Sequence, residues 1–128
     1  MAADYRAEAT AKTPSIALEA RAGTLRIEGV CIPENADRVF APLFEAIERY
    51  AQQPAPRTVV SIHLTFFNSS SAKYLLDVLK RVEDLHALGQ TRATLEWYHA
   101  PGDLDMMEAG CDYKSLLEFP VRLVEQDY

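Results

Sequence analysis

The stretch VVSIHLTFFNSSSAKYLLDVLKRVEDL, residues 59–85, decides how the chain folds. Its first part alternates: Val60, Ile62, Leu64 and Phe66 are apolar, while Ser61, His63 and Thr65 between them are polar. That period of two predicts a strand with one buried face. Beyond Asn68, Ser69, Ser70 and Ser71 the period changes. Ala72, Leu75, Leu76, Leu79, Val82 and Leu85 recur every three or four residues, the apolar stripe of a helix lasting to about Leu88, with Gly89 at its C-cap. A strand, a four-residue polar turn and a long amphipathic helix make half of a βαβ unit, so the fold belongs to the α/β class.

Working outward, Ala93, Leu95 and Trp97 alternate with Thr94, Glu96 and Tyr98 in another strand, which Pro101 and Gly102 close. Asp103 caps a short helix, Gly110 is expected to interrupt it, and Phe119, Val121 and Leu123 suggest a last strand. Upstream, Val39, Phe40, Leu43, Phe44, Ile47 and Ala51 trace a first helix. Pro42 suits a first helical position, so regular helix is expected only from about Ala41, with Asn35 to Phe40 as a separate turn. Ser15 to Leu18 and Gly23 to Gly29 read as a hairpin joined by Arg21, Ala22 and Gly23.

The expected architecture is one α/β domain spanning residues 13–128, a mostly parallel five-stranded sheet with an antiparallel edge strand and helices packed on it. Residues 1–12, rich in Ala, Thr and charge, are expected as a flexible tail. With right-handed crossovers, the loops at Pro33 to Asn35, Asn68 to Ser71 and Tyr98 to Gly102 emerge at one end of the sheet, where open α/β sheets place their sites.

Composition narrows the function. At 128 residues, 48% apolar and 25% charged, the chain suits a single folded domain with a real core. A net charge of −6 without a basic run disfavours nucleic acid, and protein partners fit better. There is no apolar run of membrane-spanning length and no secretory pattern over Met1 to Lys12, so the cytoplasm is expected and membrane association is not. Cys31 and Cys111 read as buried small hydrophobes, and the scattered Cys31, Cys111, His63, His86 and His99 have no ligand spacing for a metal. The acidic set Asp103, Asp105, Glu108 and Asp112 lacks the spacing of a calcium loop. No cofactor is implied.

The serine cluster carries the most information. One side chain among Asn68 to Ser71 should cap the second helix, yet three hydroxyls exceed what one cap requires. A phosphate on one of them would meet unpaired helix N–H groups and the positive end of the dipole, so it would alter the surface more than the fold. Ser69 or Ser70 could instead serve as a nucleophile with His63 or His99 as base, but no Gly-x-Ser-x-Gly turn or orienting carboxylate is present, so no catalytic residue is assigned.

The run Leu64 to Lys73, continuing through Leu75, Leu76, Asp77 and Leu79, resembles the signature of the SiaC family of regulatory phosphoproteins. Pro33, Glu34 and Asn35 match a second motif, and Glu96, Trp97 and Tyr98 a third. Asp105, Met106, Glu108 and Gly110 are similar too, and the likeness spans about Thr13 to Glu125. The serine turn is also similar to that of STAS domains in anti-anti-sigma factors, with Asn68 in place of their aspartate.

The SiaC resemblance implies a STAS-like fold and a phosphorylated Ser69, where the family often carries threonine. It implies binding and activation of a SiaD-type diguanylate cyclase by the unphosphorylated form. It further implies a SiaB-type kinase, a SiaA-type phosphatase of the PP2C class, and a link to cyclic di-GMP and biofilm formation. Asn68, Ser70, Ser71, Lys73, Tyr74, Asp77, Pro33, Glu34 and Asn35 are the candidate partner contacts. The alternative is a STAS-type antagonist that binds an anti-sigma kinase.

Overall fold

The computed structural model describes residues 4–127. Along the chain lie β1 (Tyr5–Ala7), β2 (Ser15–Glu19), β3 (Thr24–Cys31), α1 (Ala36–Gln52), β4 (Arg57–Phe67), α2 (Ser69–Ala87), β5 (Arg92–His99), α3 (Leu104–Leu116) and β6 (Val121–Glu125). They form one six-stranded sheet whose spatial order equals the chain order. β1, β2 and β3 pair antiparallel, and β3 to β6 pair parallel. Because every crossover steps in the same direction, right-handedness sends all three helices to one face. The strand order never reverses, so among the described residues there is no switch point and no helix covers the opposite face.

The period-two reading accounts for this layering. Leu25, Ile27, Val60, Ile62, Leu64, Leu95 and Trp97 are buried under the helices. Their neighbours on the open face hold one another instead. Ser61 and Tyr98 both donate to Glu96 Oε1, at 3.3 Å each, and Arg122 reaches its other oxygen at 3.2 Å.

Several expectations change. Part of the expected tail is structured: Tyr5–Ala7 pair with Ile16 to Leu18, which makes the sixth strand. Lys12 also accepts a backbone bond from Ile32 N at 2.8 Å. Three residues are too few for alternation to register in a sequence. Helix α1 starts at Ala36, so Asn35 to Phe40 is no separate turn and Pro42 lies inside. Pro42 leaves only the Arg38 carbonyl without its helical donor, and Arg38 is exposed to water. Asn35 caps the start by accepting from Asp37 N at 3.1 Å, and fully buried Phe40 anchors it.

Gly110 does not interrupt α3. It is buried where a Cβ would stand 2.5 Å from the Trp97 ring and 2.6 Å from Leu123, so glycine lets the helix lie directly on Trp97. Trp97 in turn donates to Met106 O at 2.9 Å. Cys111, the next residue along, faces outward and is exposed, unlike Cys31.

Candidate functional site

Helices α1 and α2 open side by side at the C-terminal edge of the sheet, because the β3–β4 ladder runs to Cys31 beside Phe67. Asn68 organises the junction. Its backbone N–H donates to Cys31 O (3.0 Å) and its Nδ2 to Pro33 O (3.3 Å). Its Oδ1 accepts from Ser71 N (3.0 Å) and from the Ser70 hydroxyl (3.2 Å). One carboxamide thus caps α2 and ties the Pro33 loop to the serine turn.

The three serines receive different environments. Ser71 is fully buried, its hydroxyl without a hydrogen-bond partner among the described residues, near the Cys31 thiol, which burial pushes up. It is therefore removed from the set of surface contacts. Ser70 is exposed but engaged with Asn68. Ser69 is exposed, and among the described residues its hydroxyl has no hydrogen-bond partner. The Ser69 and Ser70 N–H groups likewise have no acceptor among the described residues. The first turn of α2 contains no acidic residue, whereas α1 has Asp37 and α3 has Asp105. Lys73, four residues on from Ser69 and exposed, shares its helix face, as does exposed Asp77. The arrangement can accept a dianion on Ser69: free N–H groups, the dipole and one cation favour it, and no carboxylate of the first turn opposes it.

The remaining candidates fall into place around this turn. Tyr74 is half-buried, stacked on Phe40 with centroids 5.3 Å apart, and its hydroxyl donates to Asp37 Oδ1 at 3.4 Å. Partial burial, then the charge of Asp37, holds its phenol above the ordinary range. Glu34 and Asn35 are exposed beside it, while Pro33 is buried and contributes its carbonyl. From α3, Tyr113 donates to Ala72 O at 2.7 Å and props the first turn from below. The loop at Tyr98 to Gly102 contributes differently from expectation. Tyr98 turns to the open face and stacks on His63 at 4.9 Å, and buried His99 contacts the carbonyl of Ala100 in its own loop.

One residue escaped the sequence reading. Phe66 continues the apolar alternation and was expected inside, yet it is 59% exposed. The register explains why: Gly29 pairs with Leu64 and Val30 with Phe66, so Thr65 is an extra residue in β4. This bulge reverses the alternation. Phe67 takes the inward place, edge-on to Trp97 at 5.9 Å, and Phe66 is re-aimed outward three residues before Ser69. Two adjacent phenylalanines at a strand end, where alternation allows only one inside, were the available signal.

Fold and turn together define a one-sided α/β domain in which an exposed serine hydroxyl, without a hydrogen-bond partner among the described residues, opens a helix. The sequence model of the SiaC family regulatory phosphoproteins matches residues 7–126, and the chain belongs to that family. An uncharacterised protein of Pseudomonas aeruginosa strain UCBPP-PA14 is 25% identical over 124 residues, covering 97% of this chain and 98% of its own. Crystalline apo-SiaC from Pseudomonas aeruginosa is 25% identical and superposes with a TM-score of 0.85 over 94% of this chain and 98% of that one. SiaC in complex with the diguanylate cyclase SiaD, whose activator it is, is 24% identical and gives a TM-score of 0.90 over 96% of this chain and all of that one.

Proposed function

We propose that this chain is a non-catalytic, cytoplasmic partner switch whose unphosphorylated form binds and activates a SiaD-type diguanylate cyclase. Phosphate on Ser69, added by a SiaB-type kinase and removed by a SiaA-type phosphatase of the PP2C class, turns binding off. The observation that carries this reading is the difference among the three serines: only Ser69 combines exposure, a free hydroxyl and an acid-free helix start. The relative that activates a diguanylate cyclase supports the identity of the partner.

The geometry supplies a mechanism. Ser69, Lys73 and Asp77 are exposed along one face of α2, Glu34 and Asn35 are exposed in the loop that Asn68 ties to it, and Phe66 is exposed three residues before Ser69. A buried aromatic anchor needs close apolar contact, and a phosphate nearby would have to be desolvated or opposed when the partner docks. The rest of the domain need not move, because the turn is already braced by Asn68 and Tyr113. A STAS-type antagonist of an anti-sigma kinase would use the same hydroxyl, but the family match favours the cyclase.

Co-purification from the native host, with phosphosite mapping by mass spectrometry, tests the reading. A cyclase is expected with the unphosphorylated form and phosphate at Ser69. Recovery of an anti-sigma kinase instead would support the antagonist.

A further inference from the structure

At the opposite end of the sheet, Arg57 opens β4 and Arg92 opens β5, and the two are register partners. Adjacent strands lie about 4.8 Å apart, so two guanidinium stems rise side by side, an arrangement that like-charge repulsion disfavours. Among the described residues neither arginine is in an ion pair or a side-chain hydrogen bond, although the chain carries a net charge of −6. They line one shallow groove with Val59, His86, Thr94 and Pro120, and no carboxylate lines it.

The groove is a donor set. Ala93 N donates to His86 Nδ1 at 3.0 Å, which assigns the ring proton of the neutral imidazole to Nε2 and leaves His86 a donor there. Arg57, Arg92, His86 and Thr94, all with side chains able to donate, line the groove, and no carboxylate is among its lining residues.

Both strand starts are held in place. Next to the arginines in sequence, Thr58 and Thr91 are linked with Tyr50 hydroxyl to hydroxyl at 2.7 Å each, and Thr91 continues to Ala55 O at 2.7 Å. Arg92 N is pinned to Pro56 O at 2.9 Å, and the backbone before Val59 is held against Gly23. The two strand ends cannot splay to separate the charges without breaking this buried chain.

We propose that Arg57, Arg92 and His86 form a binding site for a phosphate group, carried by inorganic phosphate or by a phosphomonoester. A carboxylate would saturate its two oxygens on one guanidinium fork, whereas a tetrahedral phosphate presents enough oxygens for both forks and the imidazole. The site lies at the far end of the sheet from Ser69 and does not depend on the switch.

The test is amide and arginine Nε–H NMR on the intact chain, titrated with sodium phosphate, and separately with glycerol phosphate, at constant ionic strength set by chloride. Saturable shifts are expected at Arg57, Arg92, Ala93 and Thr94, weakened at least tenfold in Arg57→Gln and in Arg92→Gln, whose spectra also report that they fold. The tighter of the two ligands identifies the source of the phosphate. Shifts that never saturate, that persist in the Arg57→Gln/Arg92→Gln double variant, or that an oligoglutamate peptide produces at lower concentration than phosphate would overturn the assignment.

Discussion

Helix α2 is two regions in one element. Its inner stripe, Leu75, Val78, Leu79, Val82 and Leu85, is buried almost without remainder, while Ser69, Ser70 and Lys73 at its opening are exposed. The stripe holds the helix against the sheet by apolar burial. The opening turn is held by a few hydrogen bonds, from Asn68 above and Tyr113 below, so its chemistry can change without disturbing the stripe. If the opening turn is the switch proposed above, stability and switching are separable along one helix, and substitutions in the two regions should sort into two kinds of effect.

The largest effect belongs to the stripe. Leu79→Ala should cost about 2–5 kcal/mol in chemical denaturation, because it empties a fully buried volume. Partner affinity of the molecules that remain folded should be unchanged. Leu76, which the 3.6-residue pattern also assigned to the stripe, is only partly buried and should cost less. Equal midpoints for the two variants would mean that the face of α2 is drawn wrongly.

Next comes the contact between α3 and the sheet. Gly110→Ala forces a methyl group into the Trp97 ring and Leu123, and overpacking of this kind costs about 1–3 kcal/mol. Tryptophan fluorescence should shift with it. An unperturbed emission spectrum and melting curve would contradict the close approach.

The junction itself is intermediate. Asn68→Ala removes the α2 cap and the tie to Pro33, for about 1–2 kcal/mol of stability. Hydrogen exchange should accelerate at Ser71 and Ala72 more than at Leu79, and uniform acceleration would blur the distinction between the two regions. The smallest effect on folding is expected outside both. Phe66→Ala should change stability by no more than about 0.5 kcal/mol, because the residue is largely solvated. It should nevertheless weaken cyclase binding, measured by calorimetry. Full affinity in this variant would remove Phe66 from the docking surface.

Much of this was legible in the sequence where a period runs long. The alternation of β4 up to Leu64 and the helical spacing along α2 leave little ambiguity, and Asn68 before a serine run announces a cap. What was hidden depends on tertiary contact. A three-residue strand becomes visible only once β2 stands beside it. Pro42 and Gly110 look like breakers locally, yet the first leaves one carbonyl, that of exposed Arg38, without its helical donor and the second is required by Trp97. The Thr65 bulge depends on the register with β3, which no single segment encodes, and it alone decides that Phe66 faces solvent. The difference between Ser69 and Ser71 likewise follows from helix phase: two positions apart on α2 separates water from the thiol of Cys31.

The central claim is that phosphate on Ser69 ends partner binding while leaving the fold intact. Its most direct measurement uses the full chain with phosphoserine incorporated at position 69, compared with the unmodified chain and Ser69→Ala in calorimetric titrations against the host's diguanylate cyclase. Ser69 is the first helical residue rather than the cap, so Ser69→Ala should bind as the unmodified chain does and keep its stability within about 0.5 kcal/mol. The phosphorylated chain should show the same circular dichroism and melting behaviour with binding lost. Undiminished binding by the phosphorylated chain, or loss of binding only through unfolding, would contradict the account.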